Sequence, residues 1–143
     1  MIFSKYLTIS FIIIVFLAGV WQCKDTITGG NLSSVVFPAS KIPYTTVQQL
    51  FNAGCGGQSS ACHGPDTIDK PPTGNGFGLD SYDHLMGGFV KVVIRSDPNS
   101  SMLILTIEGK GPVQMPPPGQ PQLNDNQKKG LRQWVLEGAD GGS

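Results

Sequence analysis

The spacing of apolar positions changes several times along the 143-residue chain. Residues 6–20, YLTISFIIIVFLAGV, are apolar almost without interruption and follow a short start that carries one lysine. That run is shorter than the ~20 residues a membrane-spanning helix needs, and it suits the apolar region of an export signal. A leader over 1–22 is therefore expected, with the polar, glycine- and proline-containing residues 23–43 as a tether. Helical spacing starts in TTVQQLFNAG, where Val47, Leu50 and Phe51 share a face, Thr45 and Gln48 have capping-box spacing, and Gly54 supplies a stop.

Three more helices follow from the pattern. LDSYDHLMGG predicts a short one ended by Gly87 and Gly88, and SDPNSSMLILTI another with Asp97 as N-cap and Pro98 in the first helical position. The last begins at Asn124 with Gln127 three residues on, places Leu131, Trp134 and Val135 on one face, and stops at Gly138. Residues 89–94 are the one stretch with strand character. Between the helices lie two long proline- and glycine-rich loops, DKPPTGNGFG (69–78) and GKGPVQMPPPGQPQ (109–122). The expected architecture is an all-α, single small helical domain over 44–143, with long loops, after the leader and tether. Long structureless loops in a compact domain are most often functional or disordered.

Charge narrows the function classes. Ten basic and ten acidic residues balance over the chain, so no strong field exists to recruit nucleic acid. The 19 glycines and 11 prolines describe a loop-rich domain of the kind that needs a cofactor or crosslink to supplement its core.

The three cysteines carry the chemistry. Cys23 stands where the apolar run ends, as in a bacterial lipoprotein signal, although Trp21 and Gln22 replace the small residues usual before the lipidated cysteine. Lipidation of Cys23 would hold an exported protein at a membrane surface, periplasmic or on the cell exterior. Cys55 and Cys62 remain, with His63 directly after the second, in CGGQSSACHG. An even pair in an exported chain reads as a disulfide, which leaves His63 without a role. Covalent haem attachment gives all three a role, but its usual motif is C-x-x-C-H and here six residues separate the cysteines. Seven helical steps rise ~10.5 Å against ~4.5 Å for three, so the spacer must bulge to bring the sulfurs together. Gly56, Gly57, Ser59 and Ser60 suit such a bulge, and they would suit a disulfide equally well. Zinc is a weaker reading because no fourth ligand has recognisable spacing.

The second loop favours haem. Iron in cytochromes c is held by a histidine and a methionine. Met115 precedes three prolines that stiffen the backbone around it, a setting for a presented thioether more than for a packed core residue. Met102, beside Leu103 and Leu105, is expected in the core, and Met86 in the core or at its edge. His84 is the other candidate for the sixth iron position.

With these pieces in order, the chain resembles a c-type cytochrome domain of the planctomycete-type group with widened cysteine spacing. VQQLFNAGC leads into Cys55, Cys62, His63 and Gly64, and GFGLDSYDHLMGG follows. Then come SDPNSSMLILTIEG, with Ser96 where glycine is usual, Met115-Pro116-Pro117, and a closing helix with Trp134, Val135, Gly138 and Ala139. The resemblance spans about 45–140. It implies haem c bound through Cys55 and Cys62, His63 as proximal and Met115 as distal iron ligand, and a one-electron carrier, not an enzyme, that works with redox partner proteins. Two other readings stay open: a haem enzyme or gas sensor with an open iron site, and a haem-free surface lipoprotein with a Cys55–Cys62 disulfide acting as a binding or structural module.

Overall fold

The computed structural model describes residues 31–55, 63–64 and 76–142. The expected leader (1–22), Cys23, the first part of the expected tether, Cys62 and most of residues 69–78 lie outside the described residues. Four helices and no strand occur among those described, so the domain is all-α. They are α1 (Tyr44–Gly54), α2 (Tyr82–Gly87), α3 (Met102–Ile107) and α4 (Asp125–Leu136), preceded by a single 3₁₀ turn at Leu32–Ser34.

α4 is the central element, against which both α1 and α3 pack. Its start follows from local sequence. The Asn124 side chain accepts from the Gln127 N–H, and the Gln127 side chain accepts from the Asn124 N–H, so two N–H groups that a helix start leaves unpaired are satisfied reciprocally. Its end is set by Gly138, whose φ of 105° is open to glycine at no steric cost. Leu131, Trp134 and Val135 are buried together, facing Val47, Leu50 and Phe51 of α1 and Leu103, Ile104 and Ile107 of α3 in one continuous core. Trp134 spans that core, its indole N–H donating to the Asp140 carbonyl at 3.1 Å and its ring lying 5.9 Å from that of Tyr44.

Four expectations are corrected. α1 has no side-chain cap: Pro43 is its N-cap, and Gln48 donates to the carbonyls of Leu79 and Asp80 at 3.2 and 3.1 Å. α3 begins at Met102, not Asp97. The Asp97 carboxylate accepts from the N–H groups of Asn99 and Ser100, closing a separate turn. The fully buried Ser101 hydroxyl accepts from Ile94 N–H at 2.8 Å and lies 2.8 Å from the Asp97 carbonyl, which holds the chain in that turn until Ser101. The later start leaves Met102 39 % exposed instead of in the core. Residues 89–94 form no strand; Val92 and Val93 are buried, and Val92 accepts the Leu103 N–H at 2.9 Å.

The fourth correction concerns the tether, whose second part, 31–43, is a strap packed on the domain. Gln127, buried in α4, donates to the carbonyls of Leu32 and Val35 at 2.7 and 3.2 Å. Asn126 exchanges two hydrogen bonds with the Phe37 backbone at 2.8 and 3.1 Å. The Phe37 ring lies on Gly130, where a Cβ would come within 2.2 Å of it. Glu137 accepts from the N–H groups of Lys41 and Ile42 at 2.8 and 2.9 Å. Glycine in a helix interior costs roughly 1 kcal/mol relative to alanine, and here the close approach of Phe37 accounts for it.

Candidate functional site

His63 is positioned by its backbone. Its carbonyl accepts the N–H of Leu79, a core residue, at 2.9 Å, which fixes the end of the cysteine loop against the first turn before α2. Its ring stacks on Phe77, with centroids 5.0 Å apart and an interplanar angle of 23°. Burial lowers its pKa below the usual 6.5, so the imidazole is neutral near pH 7. Nδ1 is buried and has no hydrogen-bond partner among the described residues. A neutral imidazole with an uncommitted nitrogen is the form in which histidine binds a metal.

Cys55 is half-buried, immediately after α1, and packs against the edge of the core. Its amide caps the helix by donating to the Phe51 carbonyl at 2.9 Å. Cys62 and Cys23, the other two cysteines of the sequence reading, lie outside the described residues.

Met115 sits in the second loop, half-buried, with its N–H bonded to the Thr106 carbonyl of α3 at 3.1 Å. Gln122 ties the proline run by donating to the carbonyls of Pro116 and Pro117 at 3.2 and 3.1 Å. The Met115 and His63 segments are linked through one stretch of chain. Val90 N–H donates to Gly76 at 3.3 Å on the His63 side, and Leu103 N–H, at the start of α3, donates to Val92 at 2.9 Å on the other. Gly88 makes this crossing possible, since a Cβ there would meet the Gly76 carbonyl oxygen at 2.5 Å. Along the same route Phe89 is 86 % exposed and Val90 49 %, and Val113 in the Met115 loop is 54 % exposed.

His84, the alternative ligand, has one nitrogen committed: Nδ1 lies 2.7 Å from Oδ2 of Asp80, a carboxylate whose side chain is only 7 % exposed. Met86 packs at the core edge. Sequence reasoning did not single out Asp80, nor Phe77 as the surface under His63. The signal for Asp80 was its spacing of four residues before His84, a carboxylate just ahead of the N-cap Ser81 of α2. Beside this pair Tyr44 is buried with its hydroxyl unpartnered among the described residues; burial, then the Asp80 charge, pushes its pKa up.

By residue type, His63 and Met115 form a donor set that haem accepts. Imidazole and thioether are the pair that haem iron takes in cytochromes c, and the His63 ring has an uncommitted nitrogen and an aromatic support. No group of three or more histidine, cysteine, aspartate or glutamate side chains able to hold a metal ion occurs among the described residues. Comparison with protein-family models, with curated proteins and with solved structures produced no match.

Proposed function

We propose that the chain is an exported monohaem c-type cytochrome that carries single electrons, held at a membrane through lipid on Cys23 and serving redox partner proteins. The observation that carries this reading is the state of His63: neutral, aromatic-stacked, with a buried nitrogen uncommitted among the described residues, and directly after Cys62 in sequence. Cys55 and Cys62 would tie haem c covalently, and His63 and Met115 would hold its iron. Bound there, the group supplies an iron that alternates between ferrous and ferric states one electron at a time.

The residues do the rest. Leu79 holds the His63 backbone and Phe77 its ring plane, so the imidazole enters ligation with little orientation left to lose. Pro116, Pro117 and Pro118 with Gln122 stiffen the Met115 segment, which offsets the weakness of a thioether as a ligand. Were His63 and Met115 both to hold the iron, it would offer no site to a substrate. A carrier is therefore proposed over an enzyme or gas sensor.

Expression of the full chain alongside haem-attachment machinery, followed by a denaturing gel stained for haem peroxidase activity, tests the proposal. A stained band that is lost in the Cys55→Ser/Cys62→Ser variant supports it. A colourless band sinks it and leaves the Cys55–Cys62 disulfide module in its place. Carbon monoxide added to the reduced protein then separates carrier from sensor: a large spectral change means that Met115 is not on the iron.

A further inference from the structure

The strap changes where the polypeptide leaves the domain on its way to Cys23. It lies between α1 and α4. Its start is beside the last turn of α1, where a Cβ on Gly54 would come within 2.9 Å of Leu32 Cδ1. A surface groove there is lined by Ser34 and Val35 of the strap and by Gln49, Asn52 and Ala53 of α1. Its end is beside the C-terminus of α4, where Glu137 holds Lys41 and Ile42. Between them Gln127 holds Leu32 and Val35, and Phe37 lies on Gly130. The strap therefore runs antiparallel to α1 and parallel to α4. Toward the N-terminus the chain leaves at the end of the domain that carries the C-terminus of α1, the N-terminus of α4 and Cys55.

We infer that the docked strap orients the domain on a lipid surface, with the Cys55 end of α1 turned toward the membrane. The inference rests on lipidation of Cys23. From Cys23 to Asn31 there are eight Cα-to-Cα steps, a span of at most about 29 Å. Were the strap undocked, the free chain would extend 21 steps to Tyr44, a span of at most about 76 Å, and would attach at the opposite end of α1. Docking shortens the reach and reverses which end is nearest the anchor. The side chains that bond the strap are Asn126 and Gln127 of α4 and Glu137 at its C-cap, and none belongs to the proposed haem site, so orientation and haem binding are separable by mutation.

Energy transfer on the acylated full chain tests this, in phosphatidylethanolamine/phosphatidylglycerol vesicles bearing an acceptor dye on a headgroup. The donor is attached through a genetically encoded azide at Asp125 or, in a second preparation, at Leu136. These exposed ends of α4 are roughly 16 Å apart along the helix. Transfer is expected to be stronger from position 125 than from 136. A flexible spacer inserted between Gly30 and Asn31, which leaves the strap in place, is expected to lower both efficiencies and bring their ratio toward one. Phe37→Ala/Asn126→Ala/Gln127→Ala, which removes the side chains that hold Leu32, Val35 and Phe37, is expected to abolish or reverse the bias. Equal transfer from the two positions in the parent protein overturns the inference, as does a bias that survives in a folded strap-release variant. Cys23→Ser protein that still binds the vesicles overturns the anchor reading instead, which keeps the two failures distinct.

Discussion

Two sides of this small domain are finished to different degrees. Where the strap meets α4, the buried polar side chain, Gln127, uses both its donor and its acceptor, Phe37 is 3 % exposed, and Gly130, the glycine within α4, has an aromatic ring against it. Around His63 the accounting stays open. A buried ring nitrogen has no partner among the described residues, and Phe89 and Val90 are turned to solvent. Both sides share the same core, so the contrast is not one of general packing quality. The strap side is closed by polypeptide contacts, whereas the His63 side combines exposed apolar side chains with a buried nitrogen that has no partner among the described residues.

Loss of the proposed haem is the largest expected perturbation of that contrast. Replacing both Cys55 and Cys62 by serine is expected to eliminate covalent haem altogether on a stained denaturing gel. Hydrogen exchange should then speed up for amides of residues 76–90 far more than for the Phe37 and Ile42 amides. Equal loss of protection on both sides would erase the distinction.

Two phenylalanines sharpen it next. Phe37→Ala should cost about 3–5 kcal/mol in urea unfolding, as a buried aromatic truncation does. Phe89→Ala should fall within about 0.5 kcal/mol in the haem-free protein, because an 86 % exposed ring loses little by truncation. If Phe89→Ala costs as much in the haem-free chain, the open side is not open.

Gly130→Ala is expected to destabilise by about 1–3 kcal/mol, since the new methyl group overlaps Phe37 and must displace it. In a Phe37→Ala background the same change should become stabilising by up to about 1 kcal/mol, as helix propensity alone then acts. The four proteins of this cycle, measured by urea titration, isolate the contact; simple additivity would mean that Phe37 is not what Gly130 accommodates.

The smallest effect is a pH dependence confined to the closed side. Hydrogen bonds from Gln133, Ile42 and Lys41 hold the Glu137 carboxyl below its usual 4.5. A depressed folded-state value means that the unfolded chain binds the proton first. The contribution of Glu137 is therefore fully present above about pH 4.5 and is lost as pH falls through the folded value. Glu137→Gln should flatten the decline of stability below pH 4.5 and leave the profile near neutrality parallel to that of the parent. An unchanged acid slope would show that the Lys41 and Ile42 contacts do not depend on the carboxylate charge.

Glu108 adds a second carboxylate in the same acid range on the α3–α4 side. Burial pushes its pKa up, but hydrogen bonds from Lys110 at 2.7 Å and Arg132 at 2.9 Å outweigh this and hold it low. The slope attributed to Glu137 is therefore read as the difference between variant and parent.

How much of this was legible beforehand varied with the range of the interaction. The α4 start was readable because Asn124 and Gln127 satisfy each other within one helical turn, and the Gly138 stop because a φ of 105° is a property of one residue. The same capping logic failed for α1 and α3. Gln48 had partners 31 and 32 residues away, and Ser101 took partners in the preceding turn, neither of which spacing reveals. His63 and Met115 could be named from residue type and neighbours. Phe77 beneath the imidazole could not, since the two lie 14 positions apart in sequence. Gly130 was the overlooked clue, a glycine inside a helical pattern that signals close approach without saying of what.

By itself, then, the sequence determined that four helices form, the faces that α1 and α4 bury and the residue types able to hold iron, all properties set by neighbours within a turn or two. Only the tertiary structure decided that residues 31–43 dock as a strap, that His63 lies on Phe77, and which end of the domain the chain leaves toward Cys23. Those outcomes depend on side chains meeting across tens of residues, where steric fit and hydrogen-bond satisfaction select among partners that local propensity cannot rank.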